Sequence, residues 1–273
     1  MKPLFWCLTL AAFATLHTFA QDWAKPRLEK SPRHIEWVKV KHGTREVNCT
    51  IAYPEVKDKA TAVIVIHEIF GLTDWVRGVA DQLAEAGYIA IAPDFLSGMA
   101  TNGGGTAELS GGDAVRTAIR NLKPDQITAD LDAVADYVTK LPSSNGKLVV
   151  AGFCWGGTES FRYATNNKKL KAAFPFYGSG PEDAAAIARI ECPVYGFYAA
   201  NDNRINATLP KSTELMKAAK KTYEPVTYEG SGHGFMRAGE APDKGAGTPE
   251  MFEANKKARE DAWKRWKDLL KKI

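Results

Sequence analysis

Three short runs in this chain are apolar throughout instead of alternating: Ala62-Val63-Ile64-Val65-Ile66, Tyr88-Ile89-Ala90-Ile91-Ala92 and Leu148-Val149-Val150-Ala151. A strand with one face in water alternates polar and apolar side chains, so a continuous run predicts a strand covered on both faces. Helical patterns stand between the runs. Trp75 to Gly87 carries Val76, Val79, Ala80, Leu83 and Ala84 at helical spacing with a closing glycine. Asp125 to Leu141 places Ile127, Leu131, Val134, Ala135 and Val138 on one side, and Thr158 to Lys169 repeats the pattern more weakly through Phe161 and Ala164. Downstream, strand-like 172–177, 194–199 and 225–228 alternate with helical 182–190 and 209–220, and Pro249 to Ile273 is amphipathic, with Phe252, Ala258, Ala262, Trp266, Leu269 and Ile273 on one face. Upstream, residues 35–40 and 47–53 flank His42-Gly43 and predict an antiparallel hairpin, while residues 21–33, with two prolines, read as an extended lead-in. The expected fold class is α/β: a mostly parallel central sheet with antiparallel N-terminal strands and helices on both faces, in a single domain over 21–273.

The first residues carry a different signal. Lys2, the apolar stretch Leu4 to Leu16 and the small-x-small Thr18-Phe19-Ala20 read as a cleaved signal peptide over 1–20. The apolar stretch is shorter than the roughly 20 residues a spanning helix needs. The expectation is an exported protein, periplasmic or secreted, with no membrane span after cleavage. Of the four cysteines, Cys7 leaves with that peptide. Cys49, Cys154 and Cys192 remain, compatible with a Cys49–Cys192 bridge and a free Cys154, or with three free thiols. A formal net charge of +4, from 36 basic and 32 acidic residues, with no basic stripe interleaved with aromatics, argues against nucleic-acid binding.

Chemistry concentrates at the ends of the apolar runs. Gly152-Phe153-Cys154-Trp155-Gly156-Gly157 follows one run and opens a helix, the layout of a nucleophile elbow with a thiol in place of the usual hydroxyl. A cysteine at a helix N-terminus is expected to have a lowered pKa. Asp202 ends a later strand, and His233 lies between glycines after the last one. Nucleophile, acid, histidine is the chain order of the α/β-hydrolase triad, and sites in open α/β sheets form at the carboxyl ends of strands. Asp94 and His67 also sit at strand ends and are the rivals for acid and base; Asp202 is preferred because it follows the nucleophile. His67-Glu68 is not a zinc-protease motif, because Gly71 stands where the second histidine is required. No metal and no cofactor is expected. The Gly-rich segment 97–113 reads as a flap over a pocket or as simple surface disorder.

Taken together, Glu68-Ile69-Phe70-Gly71, Pro93-Asp94, the Cys154 elbow, Asp202 and Gly232-His233-Gly234-Phe235 resemble the dienelactone hydrolase (carboxymethylenebutenolidase) family over roughly residues 45–270. The resemblance implies an α/β-hydrolase fold and a Cys154–Asp202–His233 triad. It implies a Glu68 that interacts with the resting thiol and helps activate it when substrate arrives, and an oxyanion hole from the backbone N–H groups of Ile69 and Trp155. It also implies substrate-carboxylate binding by Arg237; the family's second arginine falls in the segment corresponding to 97–120, where neither Arg116 nor Arg120 is assigned to it.

The function expected is hydrolysis of a lactone or activated carboxylic ester through an acyl-enzyme on Cys154, with a small-molecule substrate as the partner and a monomer or homodimer as the assembly. Alternatives are a hydrolase of another ester class in the cell envelope, or a binding protein that retains the fold without catalysis. A thiol redox protein is disfavoured because no Cys-x-x-Cys occurs.

Overall fold

The computed structural model describes residues 22–109, 111–241 and 248–273. The expected signal peptide lies outside them. Among the described residues the strands are β1 (Ile35–His42), β2 (Arg45–Ala52), β3 (Ala60–Ile66), β4 (Ile89–Pro93), β5 (Ser144–Phe153), β6 (Ala173–Phe176), β7 (Val194–Ala199) and β8 (Tyr223–Tyr228). They form one 8-stranded sheet in the order β1-β2-β4-β3-β5-β6-β7-β8. The β1–β2 and β2–β4 pairs are antiparallel, and the pairs from β4–β3 through β7–β8 are parallel. This is the mixed, mostly parallel sheet of an α/β-hydrolase.

The continuous apolar runs are buried on both faces, as their composition requires. In β3, Ile64 and Ile66 belong to one core and Val63 and Val65 to the other, because successive side chains point to opposite faces. The first core is closed by α4 (Pro124–Thr139), α5 (Trp155–Ala164), α6 (Ala184–Ala188) and α8 (Leu209–Ala218), which contribute Leu131, Phe161, Ile187 and Met216. The second is closed by α2 (Asp74–Glu85) and α10 (Pro249–Leu270), through Trp75, Val79, Leu83, Ala262 and Trp266. The predicted face of α10 is thus packed on protein. No helix among the described residues is long and apolar enough to cross a membrane.

Two expectations are corrected here. The lead-in is not extended: after a 3₁₀ turn over Asp22–Ala24 the chain forms α1 (Lys25–Glu29). Pro26 falls in its first turn, where a missing N–H costs nothing. The Gly-rich segment is tied down at its middle, against a reading as simple surface disorder. Asp94 Oδ2 accepts from Thr106 N–H and Asp94 Oδ1 from Thr106 Oγ1, both at 2.7 Å, while Thr106 Oγ1 accepts from Leu72 N–H at 3.1 Å. It then runs into α3 (Gly112–Arg120), whose Val115 and Ile119 are buried. Asp94 therefore staples a loop to the end of β4.

The cysteine alternatives also resolve. Cys49, Cys154 and Cys192 are all free. Cys49 lies on β2 and Cys192 just before β7, five strand spacings apart in the sheet order. At about 4.8 Å per spacing that separation is far beyond the roughly 7 Å limit between bridged Cα atoms.

At the elbow three glycines leave no room for a side chain. A Cβ on Gly152 would lie 1.9 Å from Gly156 O, one on Gly156 2.4 Å from the carbonyl oxygens of Ile66 and His67, and one on Gly157 2.3 Å from Phe176 O. The start of α5 is wedged between the ends of β3 and β6. Gly156→Ala is expected to cost about 3 kcal/mol, seen as a fall in Tm of roughly 6–12 °C for a chain of this size. An unchanged melting curve would show that these backbones can separate freely.

Candidate active site

The carboxyl ends of β3, β5, β6, β7 and β8 lie side by side and deliver Glu68, Cys154, Tyr177, Asp202 and His233 in that order. Cys154 follows β5 at φ 57, ψ −114 and caps α5 from a backbone conformation few residues adopt. Its N–H donates to Phe176 O at 3.0 Å and its carbonyl accepts from Thr158 N–H at 3.2 Å, so the strained turn is held from both sides. His233 Nε2 lies 3.0 Å from Cys154 Sγ, and His233 Nδ1 lies 2.5 Å from Asp202 Oδ2. Asp202 Oδ1 also accepts from Ile205 N–H at 3.3 Å, at the start of α7 (Asn203–Asn206), which fixes the carboxylate from behind.

The rivals for these roles are engaged elsewhere. Asp94 is consumed by Thr106. His67 is fully buried, its Nδ1 2.8 Å from Glu68 O and its ring stacked on Trp155 at 5.3 Å. Burial holds its pKa down, so it stays neutral.

Glu68 is 2 % exposed and accepts from Arg237 Nε at 2.8 Å. Cys154 Sγ is hydrogen-bonded with His233 Nε2, and the Glu68 carboxylate acts on the thiol through its charge. Arg237 has its pKa raised by the Glu68 carboxylate and its guanidinium lies 5.3 Å from the Phe70 ring centroid. Arg116 pairs with Asp113 on α3, and Arg120 is exposed at the end of that helix.

The thiol itself departs from the sequence expectation. Burial pushes the Cys154 pKa up to about 11, and the Glu68 carboxylate adds to the rise. The backbone N–H groups of Trp155 and Ile69, and the Arg204 guanidinium, act in the thiolate's favour without offsetting it. The helix start is there, but desolvation and a neighbouring anion outweigh it.

Three residues near the site escape the sequence reading. Tyr177, at φ 39, packs its fully buried ring 5.1 Å from His233. Asn255 Oδ1 accepts from Gly232 N–H at 2.8 Å and ties the His233 loop to α10. Its signal is a polar residue on the apolar face of that helix, three residues from both Phe252 and Ala258. Arg204, exposed on α7, carries no signal beyond its closeness to Asp202.

The profile of the Dienelactone hydrolase family matches residues 47–273. The chain belongs to the dienelactone hydrolase family. It is 32% identical over 197 residues to a Salmonella typhi protein named "Putative carboxymethylenebutenolidase", covering 67% of this chain and 71% of that one. A Saccharolobus solfataricus protein of the same name is 30% identical over 267 residues, covering 84% and 95%. Among solved structures, the "Putative Dienelactone Hydrolase" of Klebsiella pneumoniae superposes with a TM-score of 0.74 at 25% identity, covering 88% of this chain and 99% of that one. This dienelactone hydrolase-like chain is therefore an enzyme of the carboxylic ester and lactone hydrolase class.

Because Glu68 opposes the thiolate, Glu68→Gln is expected to move the pH profile of Cys154 alkylation by iodoacetamide to lower pH. The rate at pH 8 should rise on the order of 10-fold. A profile displaced to higher pH would overturn this electrostatic assignment.

Proposed function

We propose that the enzyme hydrolyses a lactone or activated carboxylic ester through a thioester on Cys154. The observation that carries this reading is His233 standing between Cys154 Sγ and the Asp202 carboxylate at a nucleophile elbow. His233 Nε2 takes the thiol proton while Asp202, at Nδ1, holds the ring and stabilises its positive charge. The sulfur forms a bond to the carbonyl carbon, and the oxygen that becomes negative accepts from the N–H groups of Ile69 and Trp155. Loss of one such donor typically costs about 10²–10³ in rate. The intermediate collapses by breaking the C–O bond, and the alcohol or enol leaves with the proton from His233. In the second half His233 takes a proton from water, the hydroxide adds to the thioester, and the sulfur departs as the acid product forms.

The Glu68–Arg237 pair supplies a substrate-linked activation step in this scheme. An acidic group of the substrate that binds Arg237 draws it from Glu68, whose carboxylate then offers the thiol proton a second acceptor beside His233 Nε2. A thiolate is itself a good leaving group, so esters with stable leaving groups are favoured over amides. The names of the relatives support a lactone as the substrate class. Export is proposed as well, on Lys2, the apolar Leu4 to Leu16 stretch and Thr18-Phe19-Ala20.

Brief mixing with an activated ester is expected to leave one acyl group on Cys154, read as a mass increase of the intact protein. Cys154→Ala should lose the adduct and at least ~10³-fold of the hydrolysis rate. Full activity in Cys154→Ala would falsify the covalent mechanism.

A further inference from the structure

The triad leaves one histidine at the strand ends without a role. His67 follows β3, is fully buried, and packs among rings, with Trp155 stacked on it at 5.3 Å and Phe95 edge-on at 5.3 Å. Its Nδ1 lies 2.8 Å from Glu68 O, a carbonyl oxygen that can only accept, so Nδ1 carries the proton. Burial keeps the ring neutral, which leaves Nε2 a bare acceptor, and no hydrogen-bond partner reaches that atom among the described residues. An unpartnered buried acceptor is unfavourable. Packing alone is therefore served better by a phenyl ring in this cluster, and what distinguishes an imidazole here is the Nδ1 donor.

That donor holds a peptide beside the sulfur. Glu68 O also accepts from Gly71 N–H at 3.1 Å, which closes the turn Glu68-Ile69-Phe70-Gly71. Many turns form without such a bond, so alone it is a weak restraint. The imidazole supplies a second donor to the same oxygen. A trans peptide is planar, with its C=O and N–H pointing to opposite sides. Fixing Glu68 O thus fixes the direction of the Ile69 N–H, which acts in favour of the Cys154 thiolate. Bonds accepted by the carbonyl also polarise the peptide and strengthen its N–H as a donor.

We infer that His67 is a positioning residue for the oxyanion hole: its Nδ1–H holds the Glu68–Ile69 peptide so that Ile69 N–H faces the carbonyl oxygen of the bound ester. This assignment rests on the acyl-enzyme reading of Cys154, with Ile69 as one of the two donors. His67 acts through that peptide and takes no proton, so its effect is confined to steps that build negative charge on a carbonyl oxygen.

Two reactions of the same sulfur isolate those steps. Acylation by 4-nitrophenyl acetate forms the S–C bond at a carbonyl, whose oxygen becomes negative before 4-nitrophenolate leaves. Alkylation by iodoacetamide forms the S–C bond at a methylene carbon and expels iodide, with no oxyanion. The ratio of the two rates at Cys154, measured on the full chain, therefore reads the oxyanion hole and cancels changes in thiol ionisation. His67→Phe keeps the ring and removes the donor, whereas His67→Asn removes the ring and keeps an amide N–H in place of Nδ1. His67→Phe is expected to melt close to wild type yet lower the ratio about 10-fold, less than the 10²–10³ typical of losing a donor outright. His67→Asn is expected to melt lower, because of the space its ring vacates, and to keep the ratio within about 3-fold of wild type. The two variants thus rank in opposite order in Tm and in ratio, which a merely structural role does not produce. A wild-type ratio in His67→Phe, or equal losses in both variants, overturns the assignment while the acyl-enzyme reading stands. If the wild-type protein forms no acyl group on Cys154, that reading fails and the assignment falls with it.

Discussion

Every functional distance at this site depends on how closely bare backbone passes at the elbow. Gly152 lies against Gly156 O, Gly156 against the carbonyl ends of β3, and Gly157 against the end of β6. With those contacts made, Cys154 has no relaxed conformation left and is held at φ 57. Such a conformation costs about 1–3 kcal/mol and survives only where its surroundings over-determine it. Here the surroundings are the parallel register of β3, β5 and β6 and the hydrogen bond from Cys154 N–H to Phe176 O. The strain projects the sulfur off the sheet edge, where the loops after β3, β7 and β8 can reach it.

The parts of the fold that were legible in sequence are those where burial leaves a compositional trace. A strand covered on both faces must be apolar throughout, and β3 and β4 are; β7 was delimited to the residue because both ends are punctuated. The α1 and α3 helices were not legible, since each buries too little to impose a period and carries proline or glycine at its start. Boundaries drifted for a related reason. Two glycines argue against a helix start in isolation, yet α5 begins at Trp155 because close backbone contact requires small residues there.

The site divides in the same way. Its residue types sit at strand ends in a fixed order, which topology converts into proximity, so that Cys154, Asp202 and His233 come together could be read without coordinates. Pairings between loops have no such rule. That Glu68 engages Arg237, or that Asp94 secures Thr106, depends on which way a turn carries its side chains. The thiol shows the limit most sharply. A helix N-terminus is visible in sequence and argues for a low pKa, whereas burial and the facing carboxylate exist only in three dimensions and prevail.

That outcome has a chemical consequence. With its pKa raised to about 11, Cys154 is a thiol at neutral pH, with a thiolate fraction on the order of 10⁻⁴. A cysteine kept in that form resists oxidation and stray electrophiles, which select thiolates. Forming its thiolate requires a change in local charge. The carboxylate opposing the thiolate is itself bound to a cation, Arg237. The pairing of Glu68 with Arg237 thus sets the charge that the sulfur meets, as the strand ends set which side chains reach it.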